Sequence, residues 1–146
     1  MIYLAGDHRG FNLKEKIKNW LKEWGYEFED FGAYNSDDED DYPDFVHKVA
    51  RVISGDPENN KGIILGATGQ GEAMVANRYN KVRAMVYYGG PEEIIKMSRE
   101  HNNSNILSIG TSFIDENQIK NSIKVWLDLE FSGEERHLRR IEKIDK

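Results

Sequence analysis

The sequence predicts an α/β domain in which a parallel sheet of five strands carries helices on both faces. Two observations predict this fold class. Short apolar runs alternate with longer stretches whose apolar residues recur at helical spacing, in the order strand, helix, strand. The chain has 146 residues, the length of one domain, and its 38% hydrophobic residues suffice for a core. We therefore expect one domain over residues 1–146, without internal repeats.

The first third of the chain predicts two strands and two helices. The first strand is expected over Ile2–Gly6, and Gly25 should end the following helix as a C-terminal cap. A second strand is expected between Tyr26 and Gly32. The acidic run Asp37–Asp41 predicts a solvated loop, and Pro43 favours the first turn of the next helix. The apolar faces are Leu13, Ile17, Trp20, Leu21 and Trp24 in the first helix, and Phe45, Val46, Val49, Ala50 and Ile53 in the second.

The rest of the chain predicts three further strands and ends in a basic, helical tail. Asp115 should cap the last long helix, with Gln118 at the capping-box position and Phe131 near its end. The predicted strands are Gly62–Leu65, Val82–Tyr87 and Ile106–Ile109. The predicted helices begin at about Glu72, at Pro91 and after Asp115, and the tail follows Gly133. Ligands of parallel sheets bind at the carboxyl ends of the strands, so the turns after Gly6, Leu65, Tyr87 and Ile109 should share one rim.

A glycine-rich turn between the third strand and its helix is the strongest candidate for a ligand site. Gly66, Gly69 and Gly71 let the main chain approach a ligand closely. The helix start beyond them offers free N–H groups and a positive dipole end to a phosphate or an oxyanion. Glu72 follows at once, and a carboxylate beside such donors suits proton abstraction. A nucleotide site is disfavoured, because the turn matches neither Gly-x-Gly-x-x-Gly nor a Walker loop.

Composition excludes several classes of function. The net charge of −6 disfavours a nucleic-acid binder, since phosphate neutralisation needs a basic face. No apolar run approaches the length of a membrane span, and the first residues do not form a signal peptide. Without any Cys, the sequence has neither a disulfide nor a thiolate nucleophile, and the acidic run matches no calcium loop. We expect a cytoplasmic protein that has no metal site and binds neither membrane nor nucleic acid.

Six short motifs lie in order along almost the whole chain, and together they resemble one family. They are Gly6-Asp7-His8-Arg9-Gly10, Tyr42-Pro43-Asp44, Gly69-x-Gly71, Ala76-Asn77-Arg78, Arg99-Glu100-His101-Asn102 and Arg136-His137-x-Arg139-Arg140-Ile141. None is specific alone, but six in register within a small domain are hard to obtain by chance. The sequence is therefore similar to the ribose-5-phosphate isomerase B family and its galactose-6-phosphate isomerase relatives.

The resemblance implies a Rossmann-like three-layer α/β/α fold and an aldose–ketose isomerase without metal or cofactor. Its substrates would be ribose 5-phosphate and ribulose 5-phosphate of the pentose phosphate pathway, interconverted through an enediolate. It also implies a homodimer, possibly assembled further into a tetramer, with shared active sites. We expect the tail, residues 133–146, to pack on the partner subunit.

The resemblance also implies roles for individual residues. Most members carry a cysteine thiolate as the base at the position of Gly66, whereas a second branch has a Gly-x-Gly-Glu sequence whose Glu is the base. Gly69-Gln70-Gly71-Glu72 matches that branch, so we expect Glu72 to be the base and His101 to open the sugar ring. The expected substrate-binding residues are Asp7, His8, Tyr42, the oxyanion turn of Ala67, Thr68, Gly69, Gln70 and Gly71, then Asn102 and the phosphate clamp of Arg136 and Arg140. All these residues should converge on one site.

One position departs from the family pattern. An Arg usually follows the fifth strand, whereas here Ser112 offers only a hydroxyl, and Arg9 or Arg139 could supply the missing charge. The sequence therefore leaves open an isomerase of a six-carbon or rare sugar phosphate, or a sugar-phosphate-binding protein without turnover. Taken alone, Glu72 could be a favourable charge in the first turn of a helix, and His101 a helix cap. The arginines of the tail could form a solvated face.

Overall fold

The protein forms one five-stranded parallel sheet covered by helices on both faces, in a computed structural model that describes residues 1–146. The strands are β1 (Ile2–Gly6), β2 (Phe28–Asp30), β3 (Lys61–Gly66), β4 (Ala84–Tyr87) and β5 (Ile106–Gly110). The helices are α1 (Phe11–Glu23), α2 (Tyr42–Gly55), α3 (Gln70–Ala76), α4 (Glu93–Glu100), α5 (Glu116–Asp128) and α6 (Glu135–Ile141). The predicted fold class is confirmed.

The sheet has the strand order β2-β1-β3-β5-β4, and every neighbouring pair is parallel. Gly6 is level with Leu65, and Ile109 is level with both Leu65 and Tyr87. Four strands therefore end at the same edge of the sheet. The turns that follow them lie on one rim, as the sequence predicts.

Each face of the sheet has its own hydrophobic core. Ile63 and Leu65 point to the face covered by α1, α4 and α5, where Trp126 is fully buried. Ile64, between them in the sequence, points to the opposite face and packs with Val49 of α2. Alternate side chains of a strand point to opposite faces, so the unbroken apolar run of β3 follows from burial on both sides.

The strands β2 and β4 are shorter than predicted. The N–H groups of their expected first residues form hydrogen bonds within the preceding turns. Gly25 closes α1 with a φ of +78°, and the N–H of Tyr26 donates to the carbonyl of Leu21 at 2.9 Å within that turn. The N–H of Val82 likewise donates to the carbonyl of Tyr79 at 3.2 Å. Both strands begin two residues later than predicted.

The ends of the helices follow local side-chain chemistry. The carboxylate of Asp115 accepts the N–H of Gln118 at 2.8 Å, and the amide oxygen of Gln118 accepts the N–H of Asp115 at 3.2 Å, so the predicted capping box is confirmed. The expectation that α4 begins at Pro91 is wrong by two residues. Phe131 lies outside α5, because the chain becomes extended directly after Asp128.

The edge strand β4 is partly covered by a side chain. The amide nitrogen of Asn77 donates to the carbonyl of Ala84 at 3.0 Å, and the N–H of Ala84 donates to the amide oxygen of Asn77 at 2.8 Å. The side chain of Asn77 thus pairs with Ala84 as a neighbouring strand would.

A buried charge pair fixes the end of β2 against α1. Lys14 is fully buried, and its Nζ donates to Oδ1 of Asp30 at 2.8 Å and to the carbonyl of Ala33. Burial lowers the pKa of Lys14. Burial also opposes the charge of Asp30, but hydrogen bonds from Lys14 and Lys18 outweigh it and lower the pKa of that carboxyl.

The tail contacts its own subunit. Asp145 accepts the N–H of Lys81 at 2.8 Å, and directly before the tail the hydroxyl of Ser132 donates to the carbonyl of Glu100 at 2.7 Å. Packing of residues 133–146 on a partner subunit stays a prediction. None of the helices combines the length and apolar character that crossing a membrane requires.

Candidate active site

A cavity of about 280 Å³ opens on the rim beside the end of β3. Its walls come from the turn after β1, the start of α2 and the turn after β3. The lining residues are Asp7, Arg9, Tyr42, Ala67, Thr68, Gly71 and Glu72. All but Arg9 are predicted site residues. The volume lies just below the range of about 300–1,000 Å³ that is usual for small-molecule sites.

The carboxylate of Glu72 lies directly against Gly66 in this cavity. Because α3 begins at Gln70, two residues earlier than predicted, Glu72 stands in its first turn. A Cβ on Gly66 would lie 1.7 Å from Oε1 of Glu72, so only glycine leaves room for this arrangement. Glu72 is 4% exposed, and burial raises the pKa of its carboxyl; its own main-chain N–H opposes this effect and Asp7 adds to it. A raised pKa suits a general base that works near neutral pH.

The carbonyl groups of the glycine-rich turn accept hydrogen bonds from β5 and from the residue that follows it. The carbonyl of Gly66 accepts the N–H of Thr111 at 2.9 Å, and the carbonyl of Gly69 accepts the hydroxyl of Ser108 at 2.6 Å. Gly69 has a φ of +73°, which reverses the chain before α3. The conformation of the turn is therefore fixed by hydrogen bonds to its main-chain carbonyl groups.

The N–H groups of the same turn are largely left without partners. The carbonyl of Ala67 accepts the N–H of Ser112 at 3.0 Å, but the N–H groups of Ala67, Thr68 and Gly69 donate to no group of the chain. The N–H of Gln70 is used, since it donates to the Thr68 hydroxyl at 3.2 Å. Three free donors next to a carboxylate can stabilise a negative oxygen.

Tyr42 and the turn after β1 complete the cavity. A Cβ on Gly71 would lie 2.3 Å from the hydroxyl oxygen of Tyr42, so the phenol packs directly over the glycine-rich turn. Asp7 is buried, and its carboxylate accepts the N–H of Arg9 at 3.0 Å. His8, between Asp7 and Arg9 in the chain, contacts Asp40 instead of lining the cavity.

The remaining predicted residues form a second cluster at the end of α4 and in α6. The rings of His101 and His137 stack with centroids 4.4 Å apart and planes 17° apart. His137 is buried, and burial lowers its pKa, as do the charges of His101 and Arg136. Asn102 lines another cavity, of about 310 Å³, and Arg140 is exposed on α6.

Within one chain, therefore, the expected site is divided between two places. None of His101, Asn102, Arg136 and Arg140 lines the cavity that contains Glu72. The sequence analysis also missed two contacts of site residues, the stacking of His101 on His137 and the hydrogen bond between His8 and Asp40. His137 lies inside a recognised motif, which is a usable signal, whereas nothing distinguishes Asp40 from its acidic neighbours.

Known proteins resemble the chain over nearly its full length. A family profile described as Ribose/Galactose Isomerase matches residues 2–144. Ribose-5-phosphate isomerase B of Mycobacterium tuberculosis is 33% identical over 97% of this chain and 85% of the relative. The crystal structure of ribose-5-phosphate isomerase B from Mycoplasma genitalium with bound ribulose-5-phosphate superposes with a TM-score of 0.93, at 34% identity over 98% of this chain and 92% of that one. The Clostridium thermocellum structure of the same enzyme gives a TM-score of 0.90, at 38% identity over 99% and 94% of the two chains.

Proposed function

Because the chain belongs to the ribose/galactose isomerase family, we propose that it interconverts ribose 5-phosphate and ribulose 5-phosphate. The carboxylate of Glu72 is the observation that carries this proposal, because it lies buried against Gly66 and close to free N–H donors. The names of the relatives and the ribulose-5-phosphate bound to one of them support the choice of substrate.

The reaction needs an acid and a base for ring opening, a second base and an oxyanion site. His101 transfers the proton that opens the sugar ring. Glu72 then removes the proton from carbon 2, and the negative charge that develops on the carbonyl oxygen at carbon 1 is stabilised by the N–H groups of Ala67, Thr68 and Gly69. Glu72 returns its proton to carbon 1, while the proton of the carbon 2 hydroxyl moves to the oxygen at carbon 1. The aldose becomes a ketose with no net change in protons.

A homodimer with shared sites accounts for the divided arrangement. His101, Asn102, Arg136 and Arg140 of one subunit would complete the Glu72 cavity of the other. Large apolar side chains support such an interface: Met74 on α3 is 65% exposed and Met97 on α4 is 48% exposed. These helices flank the edge strand β4 from opposite faces of the sheet.

Exchange of the carbon 2 proton of ribose 5-phosphate in deuterated water tests the catalytic role of Glu72. Proton NMR reports this exchange and ketose formation together. We expect Glu72→Gln to lower both rates at least about 100-fold, the usual contribution of a general base. Glu93→Gln is the matched control, because Glu93 is an acidic residue in the first turn of α4 outside the cavity. A wild-type protein that exchanges no sugar-phosphate proton, on five- or six-carbon substrates, would contradict the proposal and leave a binding protein.

Mixed dimers test whether the sites are shared. Glu72→Gln and His101→Asn should each be inactive, but half of the dimers reassembled from an equal mixture carry one subunit of each kind. In such a dimer one site receives both substitutions and the other receives none. Activity should therefore return to about a quarter of the wild-type value. A mixture that stays inactive after confirmed subunit exchange would contradict shared sites.

Three further statements stay predictions. Ser112 keeps an alternative sugar phosphate open, and comparing kcat/KM for five- and six-carbon substrates decides it. The cytoplasmic location and a tetramer are likewise untested expectations.

A further inference from the structure

Asp40 belongs to the acidic loop, and its side chain contacts the turn after β1. Its side chain is only 9% exposed, whereas its neighbour Asp38 is exposed. Oδ1 of Asp40 accepts the main-chain N–H of His8 at 3.2 Å and lies 2.6 Å from Nδ1 of the same residue. The expectation of a fully solvated loop is wrong at this residue.

This contact determines which nitrogen of the His8 ring carries a proton. A carboxylate oxygen accepts, so Nδ1 of His8 carries a proton and Nε2 is the nitrogen left for other contacts. The hydrogen bond to Asp40 raises the pKa of His8 above that of free histidine; burial opposes this, and the charges of Asp7 and Asp38 add to it. With both nitrogens protonated, the ring is a cation whose Nε2 can donate.

The position of His8 relates this cation to the cavity. Its two chain neighbours, Asp7 and Arg9, both line the cavity that contains Glu72. Arg9 belongs to no ion pair of the chain, in contrast to Arg139, which pairs with Glu135. The cavity otherwise holds only carboxylates as charged groups, while a sugar phosphate is an anion. Cations at this end of the cavity therefore favour the substrate.

A metal ion held by Asp7, His8 and Asp40 fits the geometry less well. One donor atom from each lies within 4.8 Å of the others. However, two ligands of a tetrahedral metal are about 3.3 Å apart. The 2.6 Å between Nδ1 and Oδ1 is a hydrogen-bond distance.

We propose that Asp40 is a positioning residue, which holds His8 as a hydrogen-bond donor to an oxygen of the bound sugar phosphate. This inference rests on the proposed function. Asp40 itself touches neither the substrate nor Glu72. It acts only through the orientation and charge of the His8 ring.

NMR titration of the imidazole nitrogens tests the pair without any turnover. The wild type, Asp40→Asn and the control Asp38→Asn are compared, and His8→Gln assigns the signals. We expect Nδ1 protonated in the wild type and a His8 pKa that falls in Asp40→Asn well below its value in Asp38→Asn. An unchanged titration in Asp40→Asn would overturn the proposal, as would Zn²⁺ binding by the wild type that Asp40→Asn abolishes.

Steady-state kinetics of ribose 5-phosphate test the consequence. At a pH between the two His8 pKa values that the titration gives for the wild type and for Asp40→Asn, we expect Asp40→Asn to raise KM about three- to tenfold, the value of one hydrogen bond, with little change in kcat. The difference should shrink below both of those pKa values, because His8 is then protonated in both proteins, and Asp38→Asn should change KM far less than Asp40→Asn does. An equal loss of kcat at every pH would indicate a merely structural role. If the wild type shows no turnover, the proposed function fails, and the Kd of ribose 5-phosphate, followed by the His8 signals, decides the role of Asp40 by the same comparison.

Discussion

The substitution Gly66→Ala tests the geometry of the proposed base most directly. The added Cβ would lie 1.7 Å from Oε1, 2.2 Å from Cδ and 2.7 Å from Oε2 of Glu72. Real Cβ atoms do not approach heavy atoms closer than 3.0 Å, so Oε1 has to move by at least 1.3 Å. A misplacement of about 1 Å costs on the order of 100-fold in rate. We therefore expect kcat to fall at least about 100-fold while the fold persists, because a flexible side chain gives way.

Carbon 2 proton exchange and circular dichroism together measure this outcome. Gly55→Ala is the matched control: Gly55 ends α2, a Cβ there meets nothing within 4 Å, and stability should rise by up to about 1 kcal/mol with unchanged activity. In the Gly66→Ala background, Glu72→Asp retracts the carboxylate by one methylene and should restore part of the rate. Wild-type kcat in Gly66→Ala would refute the assignment of Glu72 as the base, because that carboxylate cannot stay in place.

Three further predictions concern stability. Burial raises the pKa of Glu72, so the folded state binds its proton more tightly than the unfolded state, and stability is lost as pH rises through the folded pKa. Thermal unfolding should therefore show Glu72→Gln more stable than the wild type at pH 8, with the gain vanishing in acid; an equal gain at every pH would contradict this. Asp30→Ala leaves the ammonium of Lys14 buried without its carboxylate and should lower the free energy of unfolding by about 3–5 kcal/mol in urea titrations, with a loss below 1 kcal/mol as the contrary result. Asp115→Ala removes half of the capping box and should cost about 1 kcal/mol, whereas Asp115→Asn, which keeps an acceptor, should cost less.

The fold was predictable because its signals are local. The apolar run of β3, the glycine cap at Gly25 and the capping box at Asp115 each lie within a few residues of sequence, and all three are confirmed. The starts of β2 and β4 were not predictable from composition. There Tyr26 and Val82 have the side chains of strand residues, but their N–H groups are used by preceding turns.

The candidate site was predictable only where its residues are contiguous in the sequence. The contiguous turn that ends in Glu72 follows from its own sequence, and the structure brings it together with Asp7 and Tyr42. Contacts between distant segments did not follow. The pair of His8 and Asp40 spans 32 residues and depends on the path of a loop whose acidic residues are alike in sequence.

The pairing of Asn77 with Ala84 restricts how two copies of the chain can meet. Both main-chain groups of Ala84 are occupied on the outer side of β4, so another strand cannot begin to pair there. A continuous ten-stranded sheet across two subunits is thereby disfavoured, as is open-ended growth through this edge. Association along β4 has to use side chains such as Met74 and Met97. Two copies held together in this way can be separated by dilution without breaking a β-ladder.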